Sequence, residues 1–181
     1  MLRYRFLDTP RGGPVEDMAI VWQQGDQSLV VHILIPSPQE NVRQRLRSYQ
    51  EAVAGHDPQI DGLCEQIRRY LTGEEVDLAI DLLDRSTCTP FQWRVLMAEK
   101  SIPRGQVRTY SQVALMAGCP GGARAAGNAL GSNPFPIVIP CHRAVRSDGS
   151  LGGYLGGLPM KRALLEMEGV QFDGRGRVRL R

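Results

Sequence analysis

No stretch of this 181-residue chain is apolar for long enough to span a membrane, and the opening MLRYRFLDTP lacks the apolar core of a secretory signal. The expected location is therefore the cytoplasm of a bacterium or archaeon, or the nucleus of a eukaryote. Cysteine is scarce. Cys64, Cys88, Cys119 and Cys141 are irregularly spaced and form no C-x-x-C pair, which argues against a disulfide scaffold. Histidine is scarcer still, and His32, His56 and His142 do not gather with the cysteines as zinc ligands would. Free thiols in a reducing compartment are the simplest account. No internal repeat or low-complexity segment is evident.

What is present is an ordinary globular balance of 42% hydrophobic and 23% charged residues, on a chain long enough to bury a core without staples. The net charge of +3 hides an asymmetry. Residues 1–100 carry 11 Lys and Arg against 15 Asp and Glu, whereas residues 101–181 carry 11 against 4. A polyanion would be drawn to the second half, although a solvated basic face would give the same count.

The apolar pattern divides the chain near residue 85. Ala19–Trp22 and Ser28–Ile35 read as a β-hairpin across Gln23–Gln27, with Pro36 and Pro38 ending the second strand. A helix is expected over Val42–Val53. Ile60, Leu63, Cys64, Ile67 and Leu71 form the stripe of another, closed by Gly73. Val76–Leu83 alternates aspartate with apolar residues and suggests a further strand. Residues 1–85 are thus expected to form a small α/β domain.

From residue 86 the pattern turns helical. Thr89-Pro90-Phe91-Gln92 and Thr109-Tyr110-Ser111-Gln112 are capping boxes, the first opening a helix to about Lys100, the second a helix to Ala117. Cys119-Pro120-Gly121 makes a tight turn into a short helix, Gly122 to Leu130. Helix, glycine turn, helix is the pattern of a helix-turn-helix, so residues 86–181 are expected to be mainly α and winged-helix-like. The second helix is nearly all small residues with one arginine, Arg124. It suits either close packing on a neighbouring helix or entry into a nucleic-acid groove. The arginine-rich tail from Arg175 to Arg181 reads as frayed or as an edge strand.

The stretch Asn133-Pro-Phe-Pro-Ile-Val-Ile-Pro-Cys-His-Arg143 carries the chemistry. Ile137–Ile139 reads as a short buried strand bracketed by prolines, delivering Cys141 and His142 to the edge of a dry core. A thiol with a pKa of about 8.5 is only a few per cent thiolate at neutral pH. An adjacent base can take its proton, and a carboxylate can orient that base. The Cys-His dipeptide alone would better fit a buried cysteine beside a surface histidine.

The longer motif resembles the active-site signature of the O6-alkylguanine-DNA alkyltransferases. The resemblance also takes in Thr109-Tyr110-Ser111, Ala123-Arg124-Ala125, Gly153-Tyr154 and Lys161 to Gly169, in the same order, over residues 86 to 169. It implies roles for individual residues. Cys141 would be the alkyl acceptor, His142 the base acting through a water, Glu168 the carboxylate orienting that base, and Asn133 the brace of the surrounding turns. Tyr110 would donate to N3 of guanine, and Arg124 would fill the gap left by an everted base. Gly122, Ala123, Ala125, Thr109, Ser111 and Arg143 would lie against DNA. Tyr154 would form a wall of the base pocket. The carbonyls of Cys141 and Ala144 would accept from the guanine amino group, and the N–H of Leu155 would face O6.

The same resemblance implies direct, once-only transfer of a methyl or larger alkyl group from O6-alkylguanine in double-stranded DNA to the protein. It implies no cofactor or metal, no membrane, and action as a monomer. Leu155 departs from the family, which often has a small residue such as serine there, and the zinc ligands of some relatives' N-terminal domains are absent. A lesion binder without chemistry, as in relatives that lack the acceptor cysteine, and a plain transcription factor are the competing readings.

Overall fold

The computed structural model describes residues 1–180, so Arg181, the last residue of the basic tail, lies outside the described residues. The chain forms two compact units. The first comprises Met1–Thr87 together with Pro134–Val138, and the second Cys88–Asn133 with Ile139–Arg181. A single break near residue 85 did not anticipate the return of Pro134–Val138 to the first unit.

The first unit is built on a four-stranded sheet of order β3-β2-β1-β4. Its strands are β1 (Leu2–Leu7), β2 (Met18–Gln23), β3 (Leu29–Leu34) and β4 (Val53–Ala54). Strand β2 is apolar at successive positions because it is central and covered on both faces, with Met18 to Trp22 all buried. The β2–β3 hairpin lies where the apolar runs placed it, with a register shift at Val21/Trp22. Helix α1 spans only Val42–Leu46, capped by Asn41, and falls short of the expected Val42–Val53. Val42, Leu46 and Tyr49 already cover the core formed with Ala19, Val21 and Leu34. The chain then extends so that Val53 and Ala54 pair with Arg3 and Tyr4, and this tertiary pairing overrides local helix propensity. Helix α2 (Pro58–Leu71) begins at Asp57, whose carboxylate accepts from the N–H groups of Gln59 and Ile60. It buries the expected stripe.

Two strand expectations are corrected. Val76–Leu83 forms no continuous strand; only Leu83 bridges to Val30, at the edge of β3. Ile137–Ile139 is also not a strand. Ile137 sits at φ 75° and the segment turns on itself, since prolines at 134, 136 and 140 remove the donors that a ladder needs. The segment is nevertheless buried, as expected, with Phe135 and Ile139 at 0% exposure.

Among the described residues the second unit has four α-helices and a small sheet. Helix α3 (Pro90–Lys100) is capped by Thr89, and α4 (Tyr110–Met116) by the Thr109/Gln112 capping box. Helix α5 (Ala123–Gly131) follows the Cys119–Gly121 turn, and α6 is Gly157–Met167. Helices α3, α4 and α5 pack on one another. A Cβ at Gly122, the N-cap of α5, would overlap the sulfur of Cys119, so a larger residue there requires that side chain to shift. Strands β5 (Arg108–Thr109) and β6 (Ala144–Val145) pair in parallel. The tail turns back on itself, with Phe172 bridging to Val178. No helix among the described residues is long and apolar enough to cross a membrane.

Candidate active site

The β5–β6 pair explains how residues far apart in sequence meet. Strand β5 runs directly into Tyr110, and β6 directly follows the 3-10 turn Cys141–Arg143. The register Arg108↔Ala144 and Thr109↔Val145 therefore sets the start of α4 beside the cysteine turn. Pro140 presents Cys141. With φ −80° and ψ 60° it sits at the centre of an inverse γ-turn, closed by the Cys141 N–H donating to the Ile139 carbonyl at 2.8 Å. The side-chain amide of Asn133 donates to that same Ile139 carbonyl at 3.1 Å and also favours a charged Cys141 sulfur.

Cys141 lines a cavity of about 660 Å³, within the range of roughly 300–1,000 Å³ usual for small-molecule sites. Tyr110, Arg124, Gly153, Tyr154 and Leu155 line the same cavity. The ring of Tyr110 lies against Gly152, where a Cβ would stand 2.8 Å from its hydroxyl. Tyr154 meets the imidazole of His142 edge to face, with ring centroids 6.4 Å apart.

Behind the cysteine lies a buried charged network. His142 Nε2 is 3.1 Å from Glu168 Oε1, and both side chains are wholly buried. Arg143 grips the same carboxylate, Nη2 donating to Oε1 at 2.7 Å and Nε to Oε2 at 2.9 Å, while its Nη1 donates to the Ile102 carbonyl. Burial alone would raise the Glu168 pKa, but His142 and Arg143 overcome it and hold the carboxylate well below its usual range. Burial also lowers the His142 pKa, against the pull of Glu168, so the ring is neutral near pH 7. A neutral ring that donates from Nε2 to the carboxylate has its acceptor lone pair at Nδ1. Burial pushes the Cys141 thiol up to about 11. The thiol is thus protonated at rest and needs a base as it reacts, and a neutral imidazole is the next residue in the chain.

One site expectation is corrected. Arg143 does not reach the surface expected of a DNA contact: its side chain is only 11% exposed and is committed to Glu168. The Ala144 carbonyl, expected to receive a guanine amino group, already accepts from Lys161 Nζ at 2.6 Å, which uses one of its two acceptor positions. On α5, Arg124 and Ala125 are exposed, Gly122 and Ala123 half-buried, and Ala126, Ala129 and Leu130 buried. One face of the small-residue helix therefore packs, as one of its two readings expected, and the other is open. Ser111 is exposed, and Thr109 half-buried as the cap of α4.

Three residues given no role from the sequence belong here. Lys161 is fully buried, its ammonium donating to the carbonyls of Ala144, Leu151 and Gly153 and lying 3.5 Å from the Tyr110 hydroxyl. Burial lowers its pKa to about 8. Glu99 of α3 is fully buried, and neither of its oxygens makes a hydrogen bond of good geometry. Burial raises its pKa to about 8, against the charges of Lys161 and Arg143 and the nearby Ala144 amide. Register could have revealed both. Lys161 shares a helix face with Leu164, Leu165 and Glu168, and Glu99 follows Val95 and Leu96 by four and three residues. The third residue, Arg146, lies on the cavity wall. Among the described residues no cluster of His, Cys, Asp and Glu is arranged to hold a metal ion.

The fold and the site together set a thiol on a cavity wall with an imidazole next to it in the chain and a carboxylate behind that ring, and comparison with known proteins specifies the class. The family model for the DNA-binding domain of 6-O-methylguanine DNA methyltransferase matches residues 90–170. The methylated-DNA–protein-cysteine methyltransferase of Methanothermobacter thermautotrophicus is 45% identical over 161 residues, which is 89% of this chain and 84% of the relative. That of Mycobacterium tuberculosis is 37% identical over 173 residues, 93% of each. A crystal structure of the M. tuberculosis O6-methylguanine methyltransferase matches with a TM-score of 0.73 at 35% identity, covering 93% of both chains. A structure of the M. tuberculosis protein in complex with DNA matches at 0.72, covering 92% of both. The chain belongs to the methylated-DNA–protein-cysteine methyltransferases.

Proposed function

We propose that this chain repairs alkylated DNA directly, moving an alkyl group from O6 of guanine to Sγ of its own Cys141. One observation carries the reading: the thiol lines a cavity sized for a small ligand, and the adjacent residue in the chain is a neutral histidine bonded to a buried carboxylate. O6 of guanine lies inside the duplex, so the base must be everted, at a cost of a few kcal/mol. Arg124, exposed on the open face of α5 and also lining the cavity, suits the gap left behind.

In the proposed reaction His142 takes the thiol proton through a water, with Glu168 stabilising the imidazolium that forms. Sulfur attacks the alkyl carbon, the carbon–O6 bond breaks, and its electrons pass into the guanine ring. Tyr110 donates to N3, stabilising the charge that grows there. Burial holds the Tyr110 hydroxyl up at about 12, so it is a donor throughout the physiological range. The Cys141 carbonyl receives the guanine amino group and the Leu155 N–H faces O6. The product is a thioether with no easy hydrolytic exit, so each molecule acts once and needs no cofactor.

We assign DNA binding and alkyl transfer to the second unit, with α4, the Cys119–Gly121 turn and α5 as a helix-turn-helix. The winged-helix-like reading rests on that pair together with β5–β6 beside α4. The reading takes the chain to act as a monomer in the cytoplasm or nucleus. A lesion binder without chemistry would have no use for a thiol so placed. The test is a duplex carrying O6-methylguanine with an isotopically labelled methyl group. At most one label per protein should pass to the native chain and none to Cys141→Ser; label transfer to that variant would refute the assignment.

A further inference from the structure

The cavity wall carries a cation to which nothing above gives a task. Arg146 follows β6 and leaves the sheet at the cavity, which it lines together with Cys141, Tyr110 and Arg124. Its backbone is held in a four-residue turn. Its N–H donates to the Ser150 carbonyl at 2.9 Å, and its own carbonyl accepts from Gly149 at 3.0 Å. Asp148 Oδ1 stiffens that turn by accepting from the N–H and hydroxyl of Ser150. The side chain is exposed, and among the described residues no hydrogen bond or ion pair engages its guanidinium. Asp148, two residues on, faces Arg177 instead. Arg68, Arg69 and Arg162, by contrast, all pair with a neighbouring glutamate. The charge of Arg146 also reaches inward, opposing both the raised pKa of Tyr110 and a charged Lys161.

An open guanidinium at the wall of a ligand cavity calls for an anion. The guanine base is neutral, so it offers none, but an everted nucleotide brings a phosphodiester on either side of its sugar. Guanidinium groups match phosphate oxygens two at a time, and most protein–DNA hydrogen bonds go to the backbone. Resting on the repair reading above, we infer that Arg146 is a further DNA-binding residue, which grips a phosphodiester flanking the everted nucleotide and so holds the extruded strand at the cavity. Arg124 occupies the duplex while Arg146 holds what has left it.

The test compares Arg146→Ala and Arg146→Lys with the native protein. Binding is measured by titrating a fluorescent duplex with one O6-methylguanine, from 50 to 200 mM salt, in a Cys141→Ala background to prevent reaction. The slope of log affinity against log salt should shrink by about 1 in Arg146→Ala and stay near native in Arg146→Lys. Single-turnover transfer from subsaturating duplex should fall on the order of 10-fold in Arg146→Ala, as for a charge-assisted hydrogen bond. Reaction with free O6-methylguanine base, which has no phosphate, should lose clearly less than reaction with duplex, because only the charge's effect on Tyr110 is missing there. An unchanged salt slope would overturn the inference. So would an equal loss on duplex and free base, which would assign Arg146 to the base itself. Absence of transfer by the native protein would instead sink the repair reading, while the salt slope would still judge Arg146 on its own.

Discussion

Replacing Glu99 with leucine should stabilise the protein, and by a margin that grows with pH. The carboxyl group is fully buried, no hydrogen bond of good geometry serves its oxygens, and burial raises its pKa from 4.5 to about 8. In the unfolded chain the group loses its proton near pH 4.5, whereas the folded chain keeps it until about pH 8. Between those limits the folded state binds one more proton than the unfolded state, so stability falls as pH rises. The limiting slope for one proton is about 1.4 kcal/mol per pH unit inside that window. Glu99→Leu removes this dependence together with an unpaired buried polar group, whose desolvation costs about 1–3 kcal/mol. Urea unfolding of both proteins at pH 5, 6.5 and 8 measures the difference. A stability gap that widens steadily with pH is expected. A gap constant between pH 5 and 8 would refute the reasoning, because Glu99 would then be ionised in the folded state too.

Glu168→Gln should slow transfer by up to roughly 10²- to 10⁴-fold, the usual contribution of the general base that Glu168 orients. It should also destabilise the fold by about 3–5 kcal/mol, because Arg143 loses its counter-charge while still buried; stopped-flow transfer and urea unfolding read the two effects separately. The pH–rate profile should stay flat to below the ordinary imidazole range, since burial lowers the His142 pKa and the neutral ring is the active form; an acid limb with its midpoint above 6.5 would contradict this. Arg124→Ala should impair reaction with duplex DNA more than with free O6-methylguanine base, and equal losses would argue against insertion into the duplex. Leu155→Ser, at the cavity wall, should speed reaction with O6-benzylguanine relative to O6-methylguanine, as measured by competition between the two bases.

Local signals marked much of this molecule in its sequence. The Thr89 and Thr109 caps, the α2 stripe and the β2–β3 hairpin are short-range devices, and each formed where its residues stand. The errors fell where distant partners decide. Helix α1 stops early because Val53 and Ala54 are taken by β1, and Ile137–Ile139 turns where its composition suggests a strand. Strand β1 passed unnoticed although Leu2, Tyr4 and Phe6 alternate with Arg3 and Arg5 at the period of a strand. In the site, the motif pointed to Cys141, His142 and Glu168, which the fold gathers. It misassigned Arg143, because sequence alone does not show whether a cation meets a phosphate or a buried carboxylate. Glu99 and Lys161 were hidden for a related reason. A charged residue on an apolar helix face reads as an exception until the fold shows what surrounds it.

The central claim is that the sulfur of Cys141 ends the reaction bearing the alkyl group. Intact-protein mass spectrometry after incubation with O6-methylguanine duplex, followed by peptide mapping, tests it most directly. A gain of one methylene's mass is expected, a methyl replacing the thiol hydrogen, on the peptide carrying Cys141, with guanine restored in the DNA. Tight binding of that duplex with no change in protein mass, or a methyl group mapped to Cys64, Cys88 or Cys119, would contradict it.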